Sequence, residues 1–76
     1  GLGGEALELI LRYAFEEINL HRLAAEVPEY NQAAQKLFSR AGFCEEVRRR
    51  EALERDGRRW DMIHYGLLAA EWRARA

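Results

Sequence analysis

The stretch GLGGEAL, Gly1 to Leu7, sets three glycines directly before an apolar-periodic run. Glycine lets a backbone approach a ligand closely. The amides of a helix N-terminus point at an anion with a favourable dipole. Gly1, Leu2, Gly3, Gly4 and Glu5 are therefore candidates for a phosphate cradle, although a linker preceding a helix has the same composition. Asn31 heads Asn31-Gln32-Ala33-Ala34. Its side-chain oxygen can cap the helix that follows. Glu26 falls on a short alternating stretch, where a glutamate is most simply a solvated strand residue. His21 and His64 have no partners at metal-ligand spacing, so no metal site is expected. Cys44 follows a helix end, where a thiolate is poorly stabilised, and reads as a small buried hydrophobe. Tyr13, Tyr30 and Tyr65 could each donate a proton.

These groups must be placed by a small domain. The chain has 76 residues, 49% hydrophobic and 33% charged, which is the composition of a globular fold with a limited core. The formal charge of −1 gives no global attraction to nucleic acid or lipid. Basic charge is carried by eleven arginines and the single Lys36. Arg48, Arg49, Arg50, Arg55, Arg58 and Arg59 could form an RNA-binding hairpin. They are interleaved with Glu45, Glu46, Glu51, Glu54, Asp56 and Asp61, and cross-strand ion pairing accounts for the pattern better. The lone cysteine excludes an internal disulfide and fits a reducing compartment, so a cytoplasmic location is expected. No apolar run reaches membrane-spanning length, and no signal-peptide layout is present.

Glu5 to Leu20 reads as a helix, with Glu5, Glu8, Arg12, Glu16 and Asn19 opposite a wide apolar side that includes Leu7, Ile10, Leu11, Ala14, Phe15 and Ile18. His21 to Val27 reads as a strand stopped by Pro28. Asn31 to Ala41 reads as a second helix, with Gly42 as its C′ residue and Phe43 packing back. Glu46–Arg55 and Arg59–Leu68 read as the arms of a hairpin turned at Asp56-Gly57. A two-residue loop there pairs Leu53 with Trp60 and Glu54 with Arg59. Ala69 to Ala76 reads as a closing helical turn. The expected class is α/β, helix-strand-helix-strand-strand with a small mixed sheet.

This order of residues resembles the C-terminal half of a GNAT-superfamily N-acetyltransferase, in the branch that acetylates ribosomal-protein N-termini. Gly1-Leu2-Gly3-Gly4-Glu5-Ala6-Leu7 is similar to the end of that family's Q/R-x-x-G-x-G/A loop. Asn31-Gln32-Ala33-Ala34, continuing to Leu37-Phe38-Ser39-Arg40-Ala41-Gly42-Phe43, is similar to its N-x-x-A…(aromatic)-x-x-x-G-F segment. Arg50-Glu51-Ala52, Asp56-Gly57-Arg58, Asp61, Gly66-Leu67-Leu68 and Glu71-Trp72 resemble the branch's closing hairpin.

The resemblance implies half of an acyl-CoA N-acyltransferase fold over residues 1–76, with the N-terminal half of the domain absent from it, either as a fragment or as an unusual half-domain. It implies acetyl-CoA as co-substrate, an amine acceptor such as a protein N-terminus, a coenzyme A grip at Gly1–Glu5, and Asn31 at the pantetheine arm or acetyl end. Asn31 and Glu26 are the candidate catalytic residues. Phe38 stands where many members carry a proton-donating tyrosine, so no general acid is visible. The rival expectation is a non-enzymatic half-domain that assembles with a second chain or binds coenzyme A. The wide apolar side of the first helix and the open edge of His21–Val27 point to a homodimer or domain-swapped assembly.

Overall fold

The computed structural model describes residues 2–75. The first helix, α1, spans Leu2–Arg12 and continues into a π-helical turn at Tyr13–Glu17. It starts earlier than the sequence reading placed it, because Gly3 and Gly4 are helical rather than part of a loop. In the π turn the Ile18 amide donates to the Tyr13 carbonyl at 3.1 Å, one residue beyond α-helical spacing. Asn19, at φ 52°, then turns the chain into β1, Arg22–Pro28. Pro28 is the last residue of that strand and not its terminator from outside.

The second helix, α2, is Gln32–Arg40, and Asn31 caps it by accepting from the Ala34 amide at 3.0 Å. Gly42 leaves the helix at φ 104°, a left-handed conformation suited to glycine. Phe43 packs edge-on against Phe38, as a C-terminal hydrophobic contact requires. The hairpin consists of β2, Cys44–Arg55, and β3, Arg58–Leu68. Asp56 and Gly57 both have positive φ, 55° and 74°, and the register pairs Leu53 with Trp60 and Glu54 with Arg59. A short third helix, α3, Ala69–Ala74, closes the described chain.

The sheet order is β1-β3-β2, and every ladder is antiparallel. The sheet was expected to be mixed. β1 and β2 do run parallel to each other, joined through α2, but the hairpin inserts β3 between them and the two never pair. Leu7, Leu11 and Phe15 from α1 and its π turn pack with Val27, Ile63, Tyr65 and Leu67 on one face of the sheet. Leu37 and Phe38 of α2 lie against the same cluster. The hydrophobic area removed from water on this face is what holds two short helices and three strands together.

Two bulges shape the other face of β2. Between Glu45 and Val47 the register gains one residue, Glu46, whose carboxylate reaches over Gly66 and binds Arg22 of β1. This ties β1 to β2 across β3 and uses the space that a Cβ on Gly66 would occupy. Between Arg49 and Leu53 the strand bulges at Glu51, φ 51°. Asp61 holds the bulge by accepting from the Glu51 amide at 2.9 Å and pairing with Arg48 at 2.9 Å. Those two contacts, the amide first, lower the Asp61 carboxyl below the usual carboxylate range. Arg48 also reaches Glu29 at 3.3 Å, so arginines of the hairpin serve ion pairs on its surface. Cys44, expected to be buried, is exposed because β2 is an edge strand whose residues other than Leu53 are all open to solvent.

Candidate functional site

A groove of about 1090 Å³ runs between α1 and α2. Gly3, Gly4 and Glu5 line it from the start of α1, and Asn31, Ala33 and Ala34 line it from the start of α2. Chain segments nearly thirty residues apart in sequence thus meet in one cleft. Gly1 lies outside the described residues. Gly3 and Gly4 have ordinary helical backbone, so no positive φ calls for glycine there. A Cβ on Gly3 would meet Leu37 Cδ2 at 3.7 Å and one on Gly4 would meet Leu37 Cδ1 at 4.0 Å, both ordinary contacts. Neither backbone conformation nor packing requires these glycines. The first amides of α1 have no carbonyl one turn earlier in the helix to accept them, which makes the start of the groove a donor site for an anion.

Asn31 serves its helix first. Its Oδ1 accepts from the Ala34 amide, and the residue lines the groove at the start of α2. Next to it, Gln35 Nε2 donates to the Glu29 carbonyl at 2.6 Å and fixes the β1–α2 connection.

Glu26 is not in this groove. Along β1 the inward residue is Val27, so Glu26 lies on the opposite face of the sheet and is exposed. It pairs with His64 in the β1–β3 ladder, and its Oε1 is 3.7 Å from His64 Nδ1. The other ring nitrogen, His64 Nε2, is buried without a hydrogen-bond partner. The sequence reading left His64 without a partner because the two residues are far apart in the chain, and only the ladder register brings them together.

Phe38 is packed between Phe43 and Tyr65, with ring centroids at 5.1 and 6.2 Å, and is a core residue. Tyr65 is buried in that core. Tyr30 stands edge-on to Trp60 near the hairpin turn, under the guanidinium of Arg55 at 4.3 Å. Tyr13 is exposed on α1. None of the three tyrosines lines the groove. The groove does contain cations that the sequence reading had not singled out: Lys36 and Arg40 on α2 and Arg12 on α1. Among the described residues there is no cluster of His, Cys, Asp and Glu able to hold a metal ion, and no helix long and apolar enough to cross a membrane.

Comparison with known proteins gives a consistent result. Residues 1–44 match the family model described as the acetyltransferase (GNAT) domain. A putative ribosomal N-acetyltransferase of Bacillus subtilis (strain 168), YdaF, is 35% identical over 72 residues, covering 95% of this chain and 39% of its own length. The uncharacterized N-acetyltransferase YnaD of the same organism is 31% identical over 72 residues, with 42% of its length covered. The spermidine/spermine N-acetyltransferase SpeG of Vibrio cholerae superposes over 100% of this chain and 46% of its own, with a TM-score of 0.89 at 28% identity. The chain thus spans less than half the length of the relatives it matches. Its first 44 residues contain α1, β1 and α2, and with them every residue that lines the groove. The chain belongs to the GNAT acetyltransferase family.

Proposed function

We propose that these residues form the C-terminal half of a GNAT domain that transfers an acetyl group from acetyl-CoA to an amine, with a protein N-terminus as acceptor. The observation that carries this reading is the groove, which joins a glycine-bearing helix N-terminus to Asn31 although neither the backbone nor the packing requires glycine at positions 3 and 4. The donor set fits a diphosphate with an amide-bearing arm. Amides of Leu2 to Glu5 would meet the phosphates, and Asn31 Nδ2 would donate to a carbonyl of the arm. Acceptor specificity for a protein N-terminus rests on the resemblance to YdaF, described as a ribosomal N-acetyltransferase.

Acetyl-CoA supplies the activated thioester. This chain's residues bind and orient. The free amine must be neutral to attack; Glu26 pairs with His64 on the face of the sheet opposite the groove, so it is not within reach of an amine there and water is the proton acceptor in this reading. Phe38 has no proton to give the departing thiolate, so water would supply it.

A titration of the 15N-labelled 76-residue chain with coenzyme A tests the reading. The amides of Gly3 to Glu5 and of Asn31 to Ala34 are expected to shift together, with weak affinity, because only part of the family's domain is present. Shifts confined to the hairpin, or none at all, would contradict it.

A further inference from the structure

The chain leaves the sheet at Glu29, two residues before Asn31, and every polar group of Glu29 is engaged there. Its amide donates to the Asp61 carbonyl at 2.9 Å. In a regular antiparallel pair its own carbonyl would accept from the Asp61 amide in return. That carbonyl instead accepts from Gln35 Nε2 of α2, and Glu29 Oε1 takes its place on the Asp61 amide at 2.9 Å. Glu29 Oε2 accepts from Arg48 Nη1 at 3.3 Å. One residue is thus bonded to β3, β2 and α2 just before the turn that delivers Asn31. Across that turn the Asn31 amide donates to the Pro28 carbonyl at 2.9 Å, and the Asn31 side chain caps α2.

The far end of the cluster costs backbone energy. Asp61 Oδ2 accepts from Arg48 at 2.9 Å, and its Oδ1 accepts from the amide of Glu51, a non-glycine residue at φ 51°. Such a conformation persists only where its surroundings over-determine it, and it collects where a group must be held in place. What Arg48 and the Asp61 backbone both reach is Glu29. Neither Arg48 nor Asp61 lines the groove, so neither touches a ligand bound there.

We propose that Asp61 and Arg48 are positioning residues for the candidate site: acting through Glu29, they anchor the β1–α2 turn to the hairpin and so fix the Asn31 end of the groove. This rests on the coenzyme reading above and deepens it. The two ends of the groove lie on different helices, and a ligand that spans them needs Asn31 held in a set place.

The first measurement is amide hydrogen exchange on the free 76-residue chain. The Ala34 amide reports the Asn31 cap, and the amide of Ile63, buried in the central strand, reports global opening. Asp61→Ala is expected to speed exchange at Ala34 about tenfold more than at Ile63, the scale of one charge-assisted contact. Arg48→Ala should do the same, and it serves alone if the Asp61 variant does not fold. The double variant should add little, because both residues act through Glu29. Arg59→Ala, which removes the exposed pair with Glu54 on the same hairpin, should leave the ratio unchanged. On titration with coenzyme A, Asp61→Ala should lose most of the shift at Asn31 to Ala34 and keep that at Gly3 to Glu5. Equal acceleration at Ala34 and Ile63, or a proportional loss of shift at both ends, would overturn the proposal and leave the cluster a support of the fold. No coenzyme A shift in the wild type would overturn the coenzyme reading, and the exchange ratio would then decide the anchoring of Asn31 by itself.

Discussion

Phe15→Ala is expected to unfold most of the chain at 37 °C. Phe15 is 1% exposed and sits in the π turn where α1 meets the sheet. Its ring stacks on Trp72 of α3 at 5.4 Å, so one side chain joins the first helix, the last helix and the core cluster. Truncating a buried phenylalanine to alanine costs roughly 3–5 kcal/mol, the transfer term plus the cavity left behind. A domain of this size has about that much stability in total. Trp72 would lose its stacking partner as well, which makes collapse of the cavity harder. Chemical denaturation followed by tryptophan fluorescence checks this. A midpoint within a few tenths molar of wild type would show that the α1–α3 contact carries little of the fold.

Self-association of the 76-residue chain is the second large effect. The wide apolar side of the first helix divides in the structure. Leu7, Leu11, Ala14 and Phe15 are buried, whereas Leu9, Ile10, Tyr13 and Ile18 remain exposed, Ile10 at 57% and Tyr13 at 59%. Next to them β1 is an edge strand with its outer side unpaired among the described residues. Covering three or four such side chains is worth roughly 1.5–3 kcal/mol each. An open edge beside them offers backbone hydrogen bonds to the same partner. Light scattering at micromolar concentration is expected to show a dimer or larger species, and Ile10→Glu is expected to return it to monomer without loss of secondary structure. Leu11 would be a poor choice for that test, because it is fully buried and a charge there would unfold the chain. A monodisperse wild-type monomer would show that this face needs no cover.

The parts of the fold that were legible in the sequence are those fixed by local chemistry. Asp56-Gly57 sets the hairpin register because only a two-residue turn with positive φ suits it, and Leu53–Trp60 follows. Asn31 declares the start of α2 by the same kind of local rule. What could not be read depends on distant partners. The bulges at Glu46 and Glu51 exist because Arg22 and Asp61 wait for them on other strands. The antiparallel sheet follows from β3 entering between β1 and β2, which no single segment encodes. The helical state of Gly3 and Gly4 runs against their low propensity, and Leu37 packing beside them is the tertiary contact that favours it. The groove was foreseen at its two motif ends and not along its length. Lys36 and Arg40 read as surface charge until α1 is laid beside them.

The measurement that bears most directly on the central claim is a pair of readings on Gly3→Ala/Gly4→Ala. If the glycines are present for a ligand and not for the fold, alanine should help the helix and harm the site. Each helical glycine replaced by alanine gains up to roughly 0.5–1 kcal/mol, and the added methyl would make only an ordinary contact with Leu37 at either position. The melting temperature should therefore rise by several degrees. The same methyls would hold a phosphate away from the α1 amides, and coenzyme A affinity should fall by about tenfold or more, the loss of a charge-assisted contact. A rise in melting temperature together with undiminished coenzyme A affinity would contradict the account.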